Sequence, residues 1–134
     1  MRHTFSSFLL IALCLVGCQK AHPDWSEHRC ADEANALSYL ATARERMTAH
    51  DFAAAKAAID SLRQRCPLAL DGRKRGIIVA DSIALLQAQE KLMQCDAQMV
   101  KAGEHITDSM KLAYEDLCRK VKFYQRKIKH DSHE

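Results

Sequence analysis

Cysteine is the residue type with the greatest capacity for chemistry in this chain, which holds six cysteines in 134 residues. A thiol can carry a lipid, join a disulfide, bind a metal or attack a substrate. Cys18 ends an apolar N-terminal stretch, and Cys30, Cys66, Cys95 and Cys118 follow it. No two of the last four form a CxxC pair, and no neighbouring histidine pattern marks a nucleophile. The spacing therefore does not predict a catalytic cysteine.

The residues before Cys18 have the layout of an export signal. Met1-Arg2-His3 supplies a positive start, residues 5–16 form an apolar core, and the small Gly17 precedes the cysteine. This arrangement is typical of a secretory signal, and its apolar core is shorter than the ~20 residues of a membrane-spanning helix. The tetrapeptide Leu15-Val16-Gly17-Cys18 resembles the lipobox of bacterial lipoproteins. The resemblance implies a signal peptide over residues 1–17 and a lipid on Cys18.

The lipobox resemblance also implies where the protein is found. Lipoproteins of this kind carry several acyl chains on the cysteine, and two or more chains give stable membrane anchoring. Gln19, and not an aspartate, follows Cys18, which in this family favours the outer membrane. We therefore expect a lipid-anchored protein that faces the periplasm or the cell surface, with residues 18–25 as a tether.

The composition indicates an all-α fold and argues against several functions. The chain has four glycines, two prolines and 6% aromatic residues, which favours helices throughout. Its charge of +3 falls to +2 if Arg2 leaves with the signal, so we predict no nucleic-acid binding. The sequence contains no motif typical of phosphate binding, zinc binding or serine-hydrolase chemistry. No pattern of further metal ligands accompanies His130 and His133. We predict a protein that is not an enzyme and that uses no cofactor or metal.

Residues 26–67 are predicted to form an antiparallel helical hairpin. Apolar residues recur at spacings of three and four before and after His50-Asp51-Phe52, and Pro67 ends the second helix. The predicted inward residues are Ala36, Leu37, Leu40, Ala43, Met47, Ala55, Ala58, Ile59 and Leu62.

This hairpin resembles one tetratricopeptide-type (TPR) unit. The resemblance is carried by Ala43, Asp51, Phe52, Ala55, Ile59, Leu62 and Pro67. Such a unit pairs two helices through small residues and closes with a proline. Tyr39, Arg46 and His50 depart from its pattern, and about three units are needed for a stable array. We expect a TPR-like hairpin, with a generic antiparallel hairpin as the alternative.

Residues 68–130 contain the longest periodic segment. One apolar set is Ile78, Leu85, Leu92, Met99, Ile106 and Ala113, and a second set beside it is Val79, Ile83, Leu86, Met93, Ala97 and Val100. Gly103 favours a break, and therefore a second hairpin whose last helix spans about 105–128. The seven-residue spacing of apolar side chains nevertheless continues past Gly103, and one glycine destabilises a helix by only ~1 kcal/mol relative to alanine. A continuous coiled-coil helix over about 73–129 is the alternative, and residues 131–134 are expected to be a disordered tail.

The end of this segment is basic and amphipathic. We predict partner binding by Lys122, Phe123, Tyr124, Arg126 and Lys127. Three interpretations are open: a helix packed on its own bundle, a docking helix for a partner protein, or contact with lipid phosphates or an acidic envelope polymer.

The segments 53–67, 81–92 and 121–128, together with the lipobox, resemble small uncharacterised lipoproteins of Bacteroidetes-type bacteria. That resemblance supports helices and export and implies no activity.

Two further hypotheses concern the cysteines and the function. In a hairpin that turns near His50, Cys30 and Cys66 come to the same end, so they are the candidates for a disulfide bridge. We expect a membrane-anchored interaction or scaffolding module whose partner is an envelope protein or a second copy of the chain. The alternative is a structural spacer that touches cell-wall polymer through its basic C-terminal helix.

Overall fold

The computed structural model describes His22 and residues 24–133, and this part of the chain is helical. Its helices are α1 (Glu27–Thr48), α2 (Phe52–Arg65), α3 (Leu70–Ala102) and α4 (Asp108–Asp131), with a short 3-10 turn at Gly103–His105. The all-α prediction is confirmed. The predicted signal peptide 1–17, Cys18 and most of the predicted tether lie outside the described residues.

Local side-chain caps explain where three of the helices begin. The Ser26 hydroxyl accepts a hydrogen bond from the Arg29 N–H at 3.2 Å, and the Asp51 carboxylate accepts one from Ala54 at 3.1 Å. The Thr107 hydroxyl accepts from Met110 at 3.3 Å. Such caps satisfy backbone N–H groups that have no partner within the helix. α3 begins after Ala69, which supplies no side-chain cap.

The core lies between α1, α2 and the first half of α3. Its buried residues are Ala36, Leu40, Ala43, Phe52, Ala55, Ala58, Ile59, Leu62, Cys66, Ala69, Val79 and Ile83. The predicted inward faces of α1 and α2 are therefore largely confirmed, with Leu37 and Met47 half-buried. The alanines allow the helix backbones to approach closely.

α3 and α4 form a second hairpin, so the continuous helix over 73–129 is wrong. Gly103 ends α3 with φ +53°, a conformation that glycine adopts without steric cost. Ile106 is extended, and Thr107 then caps α4. Of the seven-residue set, Ile78, Leu85, Leu92 and Met99 of α3 are half-buried, whereas Ala113 of α4 is exposed. α4 also continues to Asp131, so the tail predicted at 131–134 begins within a helix.

α3 is shared between two packing partners. Its residues Val79 and Ile83 are buried against the first hairpin, whereas Asp81 on another side contacts Lys127 of α4. The first hairpin ends where His50 hydrogen-bonds Glu90. Beyond that point Met93 and Val100 of α3 are 66% and 75% exposed. We call residues 91–117 the arm, which is the part of the second hairpin beyond Glu90.

Two glycines of α3 provide a matched test of this packing. A Cβ at Gly72 would overlap the Cβ of Ala36 in α1, whereas a Cβ at Gly76 would meet the Leu62 methyl groups at an ordinary 3.9 Å. Gly72→Ala should destabilise the fold by about 1–3 kcal/mol through overpacking. Gly76→Ala should stabilise it by about 0.5–1 kcal/mol, because alanine is the better helix former. Urea denaturation measures both, and equal effects of the two substitutions would contradict the close α1–α3 contact.

Candidate functional site

The five residues predicted to bind a partner lie on α4 but on two different sides of it. Tyr124 and Lys127 are half-buried against the rest of the protein, whereas Lys122, Phe123 and Arg126 are exposed. The helix therefore uses part of the predicted set for its own packing. The remaining three residues are accessible to another molecule.

Lys127 attaches α4 to α3. Its ammonium donates hydrogen bonds to the carboxylates of Asp81 on α3 and Asp131 on α4, the latter at 2.9 Å. These bonds, with Asp81 first, raise the pKa of Lys127. The pKa of Asp131 is lowered by Lys127 and then by His130. Sequence analysis did not identify Asp81 as the partner, because the contact joins residues 46 positions apart.

Tyr124 lines an open groove between α2, α3 and α4. The groove has a volume of about 250 Å³, and its polar lining includes Lys56, Asp60 and Arg63 of α2. Arg63 and Asp60 form an ion pair at 3.5 Å. On the other side of α4, Phe123 is 56% exposed and meets the Tyr124 ring edge-on, with 5.1 Å between centroids.

A buried carboxylate that the sequence analysis missed organises the end of the bundle at which α1 begins. Glu33 is only 9% exposed and accepts hydrogen bonds from the backbone N–H groups of Asp71 and Gly72 at 2.9 and 2.8 Å. The neighbouring Asp32 accepts one from the Leu68 N–H at 2.8 Å. Glu33 therefore caps α3 from another helix. The available signal was its inward spacing, three residues before Ala36.

The predicted disulfide pair lies near this cap. Cys66 is fully buried and Cys30 is half-buried, and both are free thiols in the structure, as are Cys95 and Cys118. Burial, followed by the charges of Asp32 and Glu33, raises the pKa of Cys66, so its thiol stays protonated at neutral pH. A protonated, enclosed thiol is a weak nucleophile. The bridge between Cys30 and Cys66 stays a prediction.

The other two cysteines lie at the α3–α4 contact of the arm. The Cys95 sulfur is 4.0 Å from the Met110 carbonyl oxygen of α4. Cys118 lies beside Tyr114, and its thiol and then Asp96 raise the pKa of the Tyr114 phenol. The apolar side chains around this contact, such as Leu92 and Leu117, are only half-buried, so it contributes less apolar burial than the core.

The arm exposes an apolar surface. Met93, Val100 and Leu112 are 66%, 75% and 63% exposed, and no residue of α4 is fully buried. Large apolar side chains that remain in contact with water are a common feature of protein interaction sites.

The described residues contain no cluster of three His, Cys, Asp or Glu side chains that could hold a metal ion. Among the same residues no helix is long and apolar enough to cross a membrane. No protein family, curated protein or solved structure matches the chain.

The Lys127 contact predicts local behaviour of α4. Lys127→Met should speed amide hydrogen exchange in the last turns of α4, because it removes the link to Asp81. The global free energy of unfolding should change little, because partly exposed ion pairs contribute little. Lys122→Met is the matched control, since Lys122 is exposed and has no ion pair among the described residues. Equal exchange in both variants would show that Lys127 does not hold α4.

The same contact sets a pH range for this protection. Because the pKa of Asp131 is lowered, its contribution is complete above about 3.9 and is lost as the pH falls through the lowered value. Because the pKa of Lys127 is raised, its contribution is complete below about 10.4 and is lost as the pH rises through the raised value. Protection factors of the last turns should therefore decrease outside these limits, and Lys127→Met should show a smaller acid step, because only His130 then lowers the pKa of Asp131.

Proposed function

We propose that this protein is a lipid-anchored, non-enzymatic interaction module of the cell envelope, which presents its arm to a protein partner. The arm carries the proposal. It extends past the His50–Glu90 contact and leaves Met93 and Val100 accessible, two turns apart on α3. An apolar stripe of this kind suits a groove or a helix of another protein. The partner is an envelope protein or a second copy of the chain.

The first hairpin supports a TPR-like scaffold as part of this proposal. Ala43 and Ala55 are both fully buried, as expected of small residues that bring two helices together. Phe52 is also buried, at the start of α2. His50 stands where the repeat favours glycine, and its φ is +58°, a conformation that favours glycine. We infer one TPR-like unit that is completed by α3 in place of a further repeat.

The proposed location of the protein depends on its N-terminal residues. The lipobox-like Leu15–Cys18 segment supports lipid attachment at Cys18 and placement in the outer membrane, with the body facing the periplasm or the cell surface. A short tether would then connect the bilayer to Ser26, where α1 is capped.

Replacement of Cys18 tests the anchor. After a high-salt wash, which weakens charge-based membrane contacts, Cys18→Ser should move the protein from the membrane fraction to the soluble fraction, because the hydroxyl cannot take the thioether-linked lipid. Mass spectrometry of the wild-type N-terminus should show the acyl chains. Cys30→Ser is the control and should stay in the membrane fraction. A Cys18→Ser protein that remains as tightly bound as the wild type would disprove lipid anchoring.

Substitutions on the arm test partner binding. Met93→Glu with Val100→Glu should weaken crosslinking to the partner in the native membrane at least about tenfold, or about 1.4 kcal/mol. Gln94→Glu with Gln98→Glu adds the same charge at neighbouring exposed positions and should leave capture unchanged. Both variants should unfold like the wild type, since all four positions are exposed.

The identity of the captured molecule shows what binds the arm. A defined envelope protein or a second copy of this chain supports the proposal. Retention on purified cell wall by wild type and arm variant alike would instead indicate the spacer function and would overturn it.

A further inference from the structure

One end of the bundle gathers residues from all four helices. α1 and α3 begin there, and α2 and α4 end there. The Glu33 and Asp32 hydrogen bonds join α1 to residues 68–72, and a groove of about 280 Å³ between α3 and α4 is lined by Asp71, Arg75 and Asp131. We call this the proximal end and define it as residues 24–33, 63–76 and 126–133.

The proximal end is rich in basic side chains without ionic partners. Six of them form no ion pair among the described residues: Arg65, Arg73, Lys74, Arg75, Arg126 and Lys129. Several nearby acids are already engaged. Glu33 is buried and, like Asp32, accepts backbone hydrogen bonds, and Asp131 pairs with Lys127. These three segments hold nine Lys and Arg against six Asp and Glu, so a net charge equal to the +3 of the whole chain is concentrated at this end.

Exposed apolar side chains accompany this charge. Leu68 and Leu70 lie in the α2–α3 connection, between Arg65 and Arg73, and are 46% and 58% exposed. Trp25 is half-buried just before α1, with the Arg29 guanidinium 4.1 Å above its ring centroid. Basic side chains beside exposed leucines are typical of surfaces that lie at a lipid headgroup layer.

The chain outside the described structure leads to this same end. Asp24 enters α1 at the proximal end, only a few residues after Cys18. At about 3.3–3.6 Å per residue when fully extended, the segment from 18 to 24 can reach at most roughly 20 Å. A lipid on Cys18 would therefore keep the proximal end near the bilayer. The tether is long enough for the basic side chains to come within about 8 Å of the headgroup charges, the distance over which salt screens them. This step rests on the proposed lipid anchor.

We propose that the proximal end docks on the anionic phospholipid headgroups of the membrane that holds the anchor. The basic side chains contact the phosphates, and Leu68 and Leu70 reach into the headgroup layer. α3 has 33 residues and is therefore about 50 Å long, so docking at its N-terminus directs the arm away from the bilayer. The surface thus fixes the orientation in which the arm meets its partner.

Vesicle binding of the unlipidated protein tests the surface independently of the anchor. The fragment 19–134 contains the whole core cluster and all the helix caps, so it retains the contacts that form the fold. It should co-sediment with vesicles of equal parts phosphatidylcholine and phosphatidylglycerol, and not with phosphatidylcholine alone. Binding should fall steeply as salt is added. Circular dichroism should show that the fragment is helical, and this check precedes the vesicle assay.

Two variants with the same change in net charge separate docking from general attraction. The test variant is Arg65→Gln, Arg75→Gln and Lys129→Gln, all at the proximal end. The control variant is Arg44→Gln, Lys91→Gln and Lys101→Gln, all exposed and distant from it. At about 1 kcal/mol for each basic residue at an anionic surface, the test variant should lose about 100-fold in its partition coefficient. The control should lose much less. Equal losses, or binding that does not depend on the anionic lipid, would overturn the proposal.

A photocrosslinker at Arg75 in the lipidated protein examines the same surface in its own membrane. Crosslinks to phospholipid support docking, whereas a crosslink to a protein of defined mass would show that this end is a protein interface. The anchor fails separately: if mass spectrometry of the wild-type N-terminus finds no acyl chains while fragment 19–134 binds anionic vesicles, the lipobox interpretation is wrong and the docking surface stands.

Discussion

The fold depends on the contact between the Glu33 carboxylate and the N-terminus of α3. A buried charge is costly unless it is hydrogen-bonded, and here two backbone N–H groups and the positive end of the helix dipole offset that cost. The contact requires α1 and α3 to approach closely, which the small Gly72 and Ala36 allow. It also satisfies N–H groups that α3 cannot cap with a side chain of its own. The position of α3 follows from this contact, and the position of α4 follows from α3.

α3 divides the molecule into two parts with different packing. Its first half completes the core of the first hairpin, and its second half is covered on one side by α4 alone. Because α4 buries no residue fully, the second hairpin is held by half-buried apolar side chains and by the Lys127 contact. Apolar burial is the main source of stability in proteins. The core is therefore the most stable region, and the arm is a region in which an added partner would contribute substantially to packing.

The two proposed surfaces lie at opposite ends of α3. The basic proximal end is near the chain that leads to Cys18, and the apolar arm extends away from it. This separation allows membrane contact and partner contact at the same time. Neither surface needs an enclosed pocket or a perturbed nucleophile, and the buried Cys66 has a raised pKa that suits packing more than catalysis. The chemistry of the molecule therefore favours recognition through surfaces.

The sequence by itself determined the features that depend on neighbouring residues. The spacing of Ala36, Leu40 and Ala43, the Asp51 cap and the scarcity of glycine and proline predict the helices and the inward face of the first hairpin, because helix periodicity and capping act within a few positions. The lipobox-like segment is also local, and its lipid stays a prediction. Only the tertiary structure decided between a hairpin and a continuous helix at Gly103, since the sevenfold pattern allows both. It also decided that Glu33 caps α3, that Lys127 pairs with Asp81 and that Met93 lies beyond the core. Those outcomes depend on contacts between residues about 40 positions apart and on where the first hairpin ends, which periodicity along one helix does not encode.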